Sequence, residues 1–347
     1  MVELRPRTAK GAVARAEKPE NIRQRTDDNE GGDDSTHADT AAHATKLPTP
    51  LQFPIVAVLS LVLSSLGYAF LGAVTGGDLA AVARSTDDWR DVVVLTGWRI
   101  LVLGIGWFGK LDSFDLAALN ILSHGPALYL LVTFYNVSAA SALSALTIDA
   151  LSTAIPFQLL RPVSSAHTAA EDAPNQEIVA DPAIQVYTAS LSAVVYGATL
   201  LSSLKTFLPR VLAVHFDSIK TLIPAYDATW LTVAPAALVA GIAARVFIFT
   251  PFAATPKKTE DARLGDFDPA AATLSETAAY NLWGYTAKAK VGILRVAVAV
   301  VVTYVDTYLQ CAKVVDGVEP EGARVYAAVW ASAALFSGLG LGLVGRT

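Results

Sequence analysis

Eight stretches of about twenty residues, each nearly free of charge, constrain the fold more than any other feature of this chain. One of them runs from Pro54 to Thr75. A helix of about 20 apolar residues crosses a hydrocarbon layer of ~30 Å, and inside lipid the backbone polar groups must be satisfied within the protein. The sequence therefore predicts an all-α fold, a polytopic membrane helix bundle of about eight transmembrane helices.

The composition agrees with this fold class, because 53% of the residues are hydrophobic and only 16% are charged, whereas soluble domains carry about 25% charged residues. The segment Phe207–Tyr226 mixes apolar and charged residues and is predicted either as an amphipathic helix at the membrane surface or as a loop helix that covers the end of the bundle. The spans are predicted at Phe53–Thr75, Val92–Phe108, Asp115–Tyr135, Ser138–Leu160, Pro182–Leu204, Ala228–Phe252, Val291–Ala312 and Arg324–Val344.

The first fifty residues differ from the rest of the chain. Residues 1–50 contain no Phe, Tyr or Trp and carry mixed charges. Too little apolar surface is available there to offset the entropy lost on ordering, so we expect a disordered polar tail. Residues 51–347 are predicted to form the transmembrane helical domain. No apolar core of a secretory signal lies near the start, and we expect the first span to act as a signal anchor.

Lysines near the span ends predict the orientation. Lys257, Lys258, Lys288 and Lys290 flank the loop between the sixth and seventh spans, and such residues favour the cytoplasmic side. With an even number of spans, both termini are expected in the cytoplasm, in the endoplasmic reticulum or another endomembrane. The lipid bilayer is the predicted partner, with protein partners binding through tail and loops. The modest net charge of −5 indicates no nucleic-acid partner.

Several charged residues lie inside the predicted spans: Arg99, Asp149, Arg245, Arg295 and Asp306. Each costs about 2.5–3.5 kcal/mol at the bilayer centre if unpaired, so each should face a partner inside the bundle. Short connections predict that Asp149 pairs with Arg99, and Asp306 is expected to meet Arg245. Arg295 and Asp306 are about three turns apart and share a helix face. The favoured interpretation of these residues is that they form buried ion pairs that fix the helix register. A proton- or ion-coupled pathway is the alternative.

His124 precedes Gly125 and Pro126 in the third span. Proline removes a helix hydrogen bond, and the favoured interpretation is that His124 bonds a backbone carbonyl freed in this way. A proton site or a metal ligand is the alternative. Cys311 is the only cysteine, which excludes a thiolate metal cluster and an intrachain disulfide. The sequence therefore predicts no metal site and no cofactor.

Known catalytic signatures are missing from the sequence, which contains no HExxH, GxSxG or Walker pattern. The run Gly104-Ile-Gly106-Trp-Phe-Gly109 matches the letters of a dinucleotide fingerprint. That fingerprint requires a preceding strand and a following acidic residue, whereas this run closes a membrane span. No catalytic residue is predicted.

The stretch Gly106–Tyr135, in an alanine-rich chain with a single methionine, resembles uncharacterised multi-pass membrane proteins of filamentous fungi. This resemblance implies a fungal source and no assigned activity. Three functional hypotheses remain. A non-enzymatic endomembrane scaffold or accessory protein leads, because it requires no chemistry that the sequence fails to show. A small-solute or proton-coupled transporter would use Asp149, Asp306 and His124. A membrane-embedded lipid-modifying enzyme would use Asp112, Asp115 and His124.

Overall fold

The computed structural model describes residues 48–85, 88–168, 175–258, 261, 264, 267 and 272–345. Of the predicted tail, residues 1–47 lie outside these ranges. The described residues form helices joined by short loops, and the β-structure among them is confined to isolated bridges, Ala83 with Val315 and Phe216 with Val318. The predicted all-α class is confirmed.

Eight of the described helices are long and apolar enough to cross a membrane, namely α1–α4, α6, α9, α11 and α12 as defined here. In chain order the helices are α1 Thr49–Thr75, α2 Trp89–Phe108, α3 Ser113–Phe134, α4 Ala139–Leu160, α5 Gln176–Ala180, α6 Pro182–Lys205, α7 Leu208–His215, α8 Ile223–Tyr226, α9 Trp230–Ala254, α10 Leu274–Trp283, α11 Ala287–Val314 and α12 Pro320–Val344. The chain is a multi-pass membrane protein.

Several spans begin earlier than hydropathy predicts, because capping residues set where a helix starts. Asp88 accepts a hydrogen bond from the Arg90 backbone N–H and starts α2 at Trp89. At the start of α3, Asp112 and Asp115 each accept a hydrogen bond from the other's backbone N–H, forming a capping box. Polar residues therefore extend the helices beyond their apolar cores.

Within the described spans, α9 and α11 each contain a π-helical turn, which the sequence did not predict. The turns are Arg245–Phe249 in α9 and Gln310–Val314 in α11. A π turn carries one extra residue per hydrogen-bonded loop and often lies at a functional site. The turn in α11 follows Asp306 closely, and the turn in α9 contains Arg245.

The third span is the centre of the bundle. In α3, 56% of the most apolar stretch is buried, against 11% in α2. It packs against α4, α9 and α11. Polar side chains on α3 therefore meet neighbouring helices, while much of α2 faces outward, as expected for a helix in contact with lipid.

The bundle has two ends, called here the N-terminal face, where α1 begins, and the far face. At the N-terminal face, Arg161 after α4 donates to the carbonyls of Gly106, Trp107 and Leu111. At the far face, α7 buries Leu208 and Leu212, and the Glu319 backbone N–H donates to the His215 carbonyl. Of the two interpretations of segment 207–226, the packing matches a loop helix that covers the end of the bundle.

Candidate functional site

Five side chains from five helices form a polar cluster inside the bundle, called here the central cluster. Its members are Tyr68 of α1, Arg99 of α2, His124 of α3, Asp149 of α4 and Asp306 of α11. Asp149 and Asp306 are buried. Arg99, His124 and Asp149 each lie near the middle of their spans, so the cluster lies at membrane depth.

The structure brings the predicted pair Arg99 and Asp149 together, with 3.7 Å between Nη1 and Oδ1. The guanidinium group has closer partners among serine hydroxyls, because it donates to Ser64 at 3.0 Å and to Ser152 at 2.7 Å. The closest partner of Asp149 is the Tyr68 hydroxyl, which donates to Oδ2 at 2.6 Å. Sequence reasoning missed Tyr68, which looks like an ordinary aromatic residue of an apolar run.

Asp306 contacts His124, and the predicted pairing of Asp306 with Arg245 is wrong. Its Oδ2 lies 2.9 Å from His124 Nδ1, and its Oδ1 accepts from Trp98 Nε1 at 3.2 Å. The rotation of α11 about its axis turns Asp306 toward α3, and hydropathy carries no information on that rotation. Arg245 lies in the π turn of α9, and no described carboxylate lies within the 4.0 Å of an ion pair with it.

The favoured interpretation of His124 is also wrong. Pro126 leaves the Leu122 carbonyl without its helical donor, but the hydroxyl of Thr303 on α11 donates to that oxygen at 3.5 Å. The Thr307 hydroxyl similarly donates to the Ser123 carbonyl at 3.2 Å. The imidazole instead has side-chain partners, because its Nδ1 lies 2.9 Å from Asp306 Oδ2 and 3.2 Å from the Ser123 hydroxyl.

Two cavities of the described bundle meet at the central cluster. The apolar cavity, about 310 Å³, extends toward the far face, where the turn containing Gly77 lines it, and Tyr68 and Asp149 line it at membrane depth. The polar cavity, about 250 Å³, lies between α1, α2, α3 and α11 and is lined by Arg99, Asp306 and hydroxyl side chains. His124 and Gln310 line both cavities, so the imidazole is part of the wall between them.

Some buried polar atoms of residues lining the polar cavity have no hydrogen-bond partner among the described residues. They include Arg99 Nε and Asn120 Oδ1. Asn120 is only 8% exposed, and a buried polar atom without a partner costs free energy unless water or a ligand satisfies it. Arg99 and Asn120 therefore place polar groups in the wall of the polar cavity.

A second group of charged residues, called here the face cluster, lies at the N-terminal face. It comprises Asp112, Asp115, His167 and Arg295. Arg295 contacts both oxygens of Asp115, at 2.5 Å from Nη1 and 2.8 Å from Nη2. His167 Nδ1 lies 2.8 Å from Asp112 Oδ2, which also accepts hydrogen bonds from the backbone N–H and hydroxyl of Ser164.

These contacts shift the pKa values of the two groups that lie outside the spans. Burial alone would raise the pKa of Asp112, but hydrogen bonds from His167, the Asp115 backbone and Ser164 outweigh it and lower that pKa below its ordinary value. Burial alone would lower the pKa of His167, but Asp112 and Asp115 outweigh it and raise that pKa. Both shifts favour a charged pair.

The ligand atoms of Asp112, Asp115 and His167 lie within 4.8 Å of one another, the spacing of a metal site. Their charges are nevertheless balanced within the cluster when His167 is protonated, because Arg295 then faces Asp115 and His167 faces Asp112. These residues therefore fit a network of ion pairs better than a metal centre.

The predicted enzyme triad of Asp112, Asp115 and His124 does not form, because His124 belongs to the central cluster. His167 lies beside the two carboxylates instead. Sequence reasoning missed His167 because it lies in a polar linker that carries no motif. Its one available signal was its place shortly after the end of the fourth span, on the same side of the membrane as Asp112.

Comparisons of the chain with protein-family models, curated proteins and solved structures return no match. A fold class such as a helix bundle does not define an activity, whereas the chemistry of a site does. Functional conclusions for this multi-pass membrane protein therefore rest on the geometry of the central and face clusters.

Proposed function

We propose that the protein is a proton-coupled transporter of a small solute, with His124 and Asp306 as the site that gains and loses the proton. The observation that carries this proposal is the position of His124, which contacts Asp306 at 2.9 Å and lines both cavities. Histidine is the side chain whose ordinary pKa allows protonation changes near neutral pH. Ionisable residues inside a membrane domain commonly mark ion or proton paths.

The cavity volumes support a small substrate. The apolar cavity, at about 310 Å³, lies at the lower end of the range for small-molecule sites. The polar cavity, at about 250 Å³, has the volume of about eight waters at ~30 Å³ each. Serine and threonine hydroxyls line it, so a hydrated polar cavity provides a route for protons to His124.

The π turn in α11 supports a conformational change in the residues that separate the two cavities. Gln310 and Val314, the first and last residues of that turn, line both cavities. Transport requires that the site open alternately to the two sides of the membrane. A shift of this turn to regular α-helix would rotate Gln310 and change the wall that separates the cavities.

The test is proton movement in liposomes that contain the purified protein and a pH-sensitive dye. A panel of small cations, anions and neutral solutes is added outside, and we expect one class to drive proton flux. His124→Gln and Asp306→Asn should abolish that flux. His215→Gln is the matched control, because His215 makes a similar contact with Glu319, at 2.7 Å, but at the far face. Equal flux in His124→Gln and the wild type would contradict the proposal.

A partner-binding accessory protein is the second candidate, favoured by exposed apolar residues of α10. Leu274 is 88% exposed and Leu282 is 76% exposed. A helix that presents such residues outside the bundle is suited to bind another protein. Co-purification from native membranes tests this candidate: a partner retained by the wild type should be lost on the double change Leu274→Ser, Leu282→Ser.

We further propose that the protein resides in an endomembrane of a fungal cell with both termini in the cytoplasm. Lys257 and Lys258 follow α9, and Lys288 and Lys290 lie in the first turns of α11, so these lysines share the N-terminal face. Such a concentration favours the cytoplasmic side. Protease protection of terminal tags checks this: both tags should be digested in intact vesicles, and protection of both would reverse the orientation.

A further inference from the structure

The charges of the central cluster do not balance unless one more positive charge is present. Asp149 and Asp306 are two carboxylates, and Arg99 is the one permanent cation that faces them among the described residues. The other ionisable groups are His124 and the phenol of Tyr68, which is neutral at physiological pH. The cluster is therefore neutral when His124 is protonated and carries one net negative charge when His124 is neutral.

An unbalanced charge is costly at membrane depth. The helices that contribute to the cluster around His124 present Tyr68 from α1, Arg99 from α2, Asp149 from α4 and Asp306 from α11. When the imidazole loses its proton, none of these groups supplies the missing charge. A monovalent cation that enters a cavity would supply this charge. The cluster is therefore neutral with either the proton or the cation bound, and binding of one disfavours binding of the other.

The apolar cavity defines the kind of cation. Asp149 and His124 line it at membrane depth, and most of its remaining lining is aliphatic, including Leu71, Leu128 and Leu131. A bare metal cation requires a shell of six or more oxygen ligands, which aliphatic walls do not provide. An organic cation instead places its charge near Asp149 and His124, the carboxylate and the imidazole that line this cavity, and its apolar body against the leucines. An anion is disfavoured, because Arg99 is already engaged by Asp149 and serine hydroxyls.

We propose that the apolar cavity binds a small monovalent organic cation with an aliphatic body, in exchange for the proton of His124. This proposal rests on the proposed function. As the cation binds, one N–H bond of the imidazolium breaks and the proton passes to water in the polar cavity. The imidazole takes up one proton when the cation leaves. Each cycle moves one cation against one proton, and no other reactant is required.

The test is uptake of radiolabelled butyltrimethylammonium into acid-loaded liposomes that contain the full-length protein. This ion carries a fixed charge and does not cross lipid as a neutral base. Butanesulfonate and mannitol serve as the anionic and neutral probes. One-for-one exchange predicts accumulation that approaches about tenfold per pH unit of gradient, since one pH unit corresponds to 1.36 kcal/mol. Butanesulfonate and mannitol should not accumulate.

Two substitutions of His124 distinguish an effect on the charge of the cluster from an effect on folding. His124→Gln keeps the net negative charge, so the cation should still bind but should no longer accumulate with the pH gradient. His124→Lys supplies a fixed positive charge, so binding of the cation should be lost. Folding of both variants is checked by thermal unfolding in detergent, and His215→Gln should behave as the wild type.

The outcomes distinguish this inference from the proposed function. Proton flux driven by butanesulfonate or mannitol, without uptake of the cation, would overturn the substrate class and leave proton-coupled transport standing. No proton movement with any probe would overturn both. Gradient-driven accumulation by His124→Gln equal to that of the wild type would overturn the role of His124, because the proton would then be carried elsewhere.

Discussion

The central cluster and the face cluster both join α3 to α11 through an acid–base pair, yet their surroundings differ. In the face cluster, Asp115 is completely buried and Arg295 contacts both of its oxygens. The neighbouring Asp112 accepts several hydrogen bonds. Both clusters contain buried polar atoms that have no hydrogen-bond partner among the described residues, but in the central cluster His124 and Asp306 line cavities. The difference is therefore that the central cluster borders space for another molecule.

The two pairs also follow the same order along both helices. Asp115 precedes His124 on α3, and Arg295 precedes Asp306 on α11. The helices are therefore parallel, and the pairs act as two ties between them. A movement that opens the central cluster while the face cluster holds must pivot about the Asp115–Arg295 contact.

The largest effect on stability is expected at the face cluster. Asp115→Leu leaves Arg295 without its carboxylate, and a stranded buried charge costs about 3–5 kcal/mol. Thermal unfolding in detergent measures the loss. The double change Asp115→Leu, Arg295→Leu should recover most of it, because the charge itself is then removed. Strictly additive losses would show that the two residues do not act as a pair.

A smaller loss of stability is expected for the corresponding change in the central cluster. Asp149→Leu leaves Arg99 with the hydroxyls of Ser64 and Ser152 and with access to the polar cavity. Loss of one charged hydrogen-bonding partner then costs about 1–3 kcal/mol. The same unfolding assay ranks the two variants. A loss as large as that of Asp115→Leu would mean that the central cluster is as closed as the face cluster.

The smallest effect is a pH dependence that belongs to the face cluster. The pKa of His167 is raised in the folded protein, so its stabilisation is complete below about pH 6.5, the ordinary value. It is lost as the pH rises through the folded pKa. The pKa of Asp112 is lowered, so its stabilisation is present above about pH 3.9 and is lost as the pH falls through its folded pKa.

The melting temperature of the wild type should therefore fall as the pH rises above neutrality. His167→Gln should flatten this part of the profile, because glutamine does not titrate. An unchanged slope in His167→Gln would assign the pH dependence to another group. A profile from pH 6 to 9 in detergent is sufficient.

The spans were predictable because apolar length and the absence of charge are direct consequences of a lipid environment. Their starts were not, because Asp88 and Asp112 extend helices by capping. The pairing of Arg99 with Asp149 was predicted from the short connections between α2, α3 and α4, although α2 itself packs mainly against α1 and α11. The pairing of Asp306 depends instead on how far α11 rotates about its axis, which the hydropathy pattern leaves open.

Aromatic partners were equally hidden from the sequence. Tyr68 and Trp98 lie in apolar runs, where such residues ordinarily contribute only surface area. Their hydrogen bonds to Asp149 and Asp306 depend on contacts between helices that are distant in the chain. The same holds for the two cavities, which arise from the packing of several helices at once.

The contrast between the clusters is tested most directly by solute-driven proton flux per folded molecule in liposomes, measured for two double variants. His124→Gln with Asp306→Asn removes the central pair, and Asp115→Leu with Arg295→Leu removes the face pair. We expect the first variant to lose the flux and the second to keep most of it, because only the central pair lines the cavities. Retained flux without the central pair, or flux lost only with the face pair, would contradict the assignment of the central cluster as the functional site.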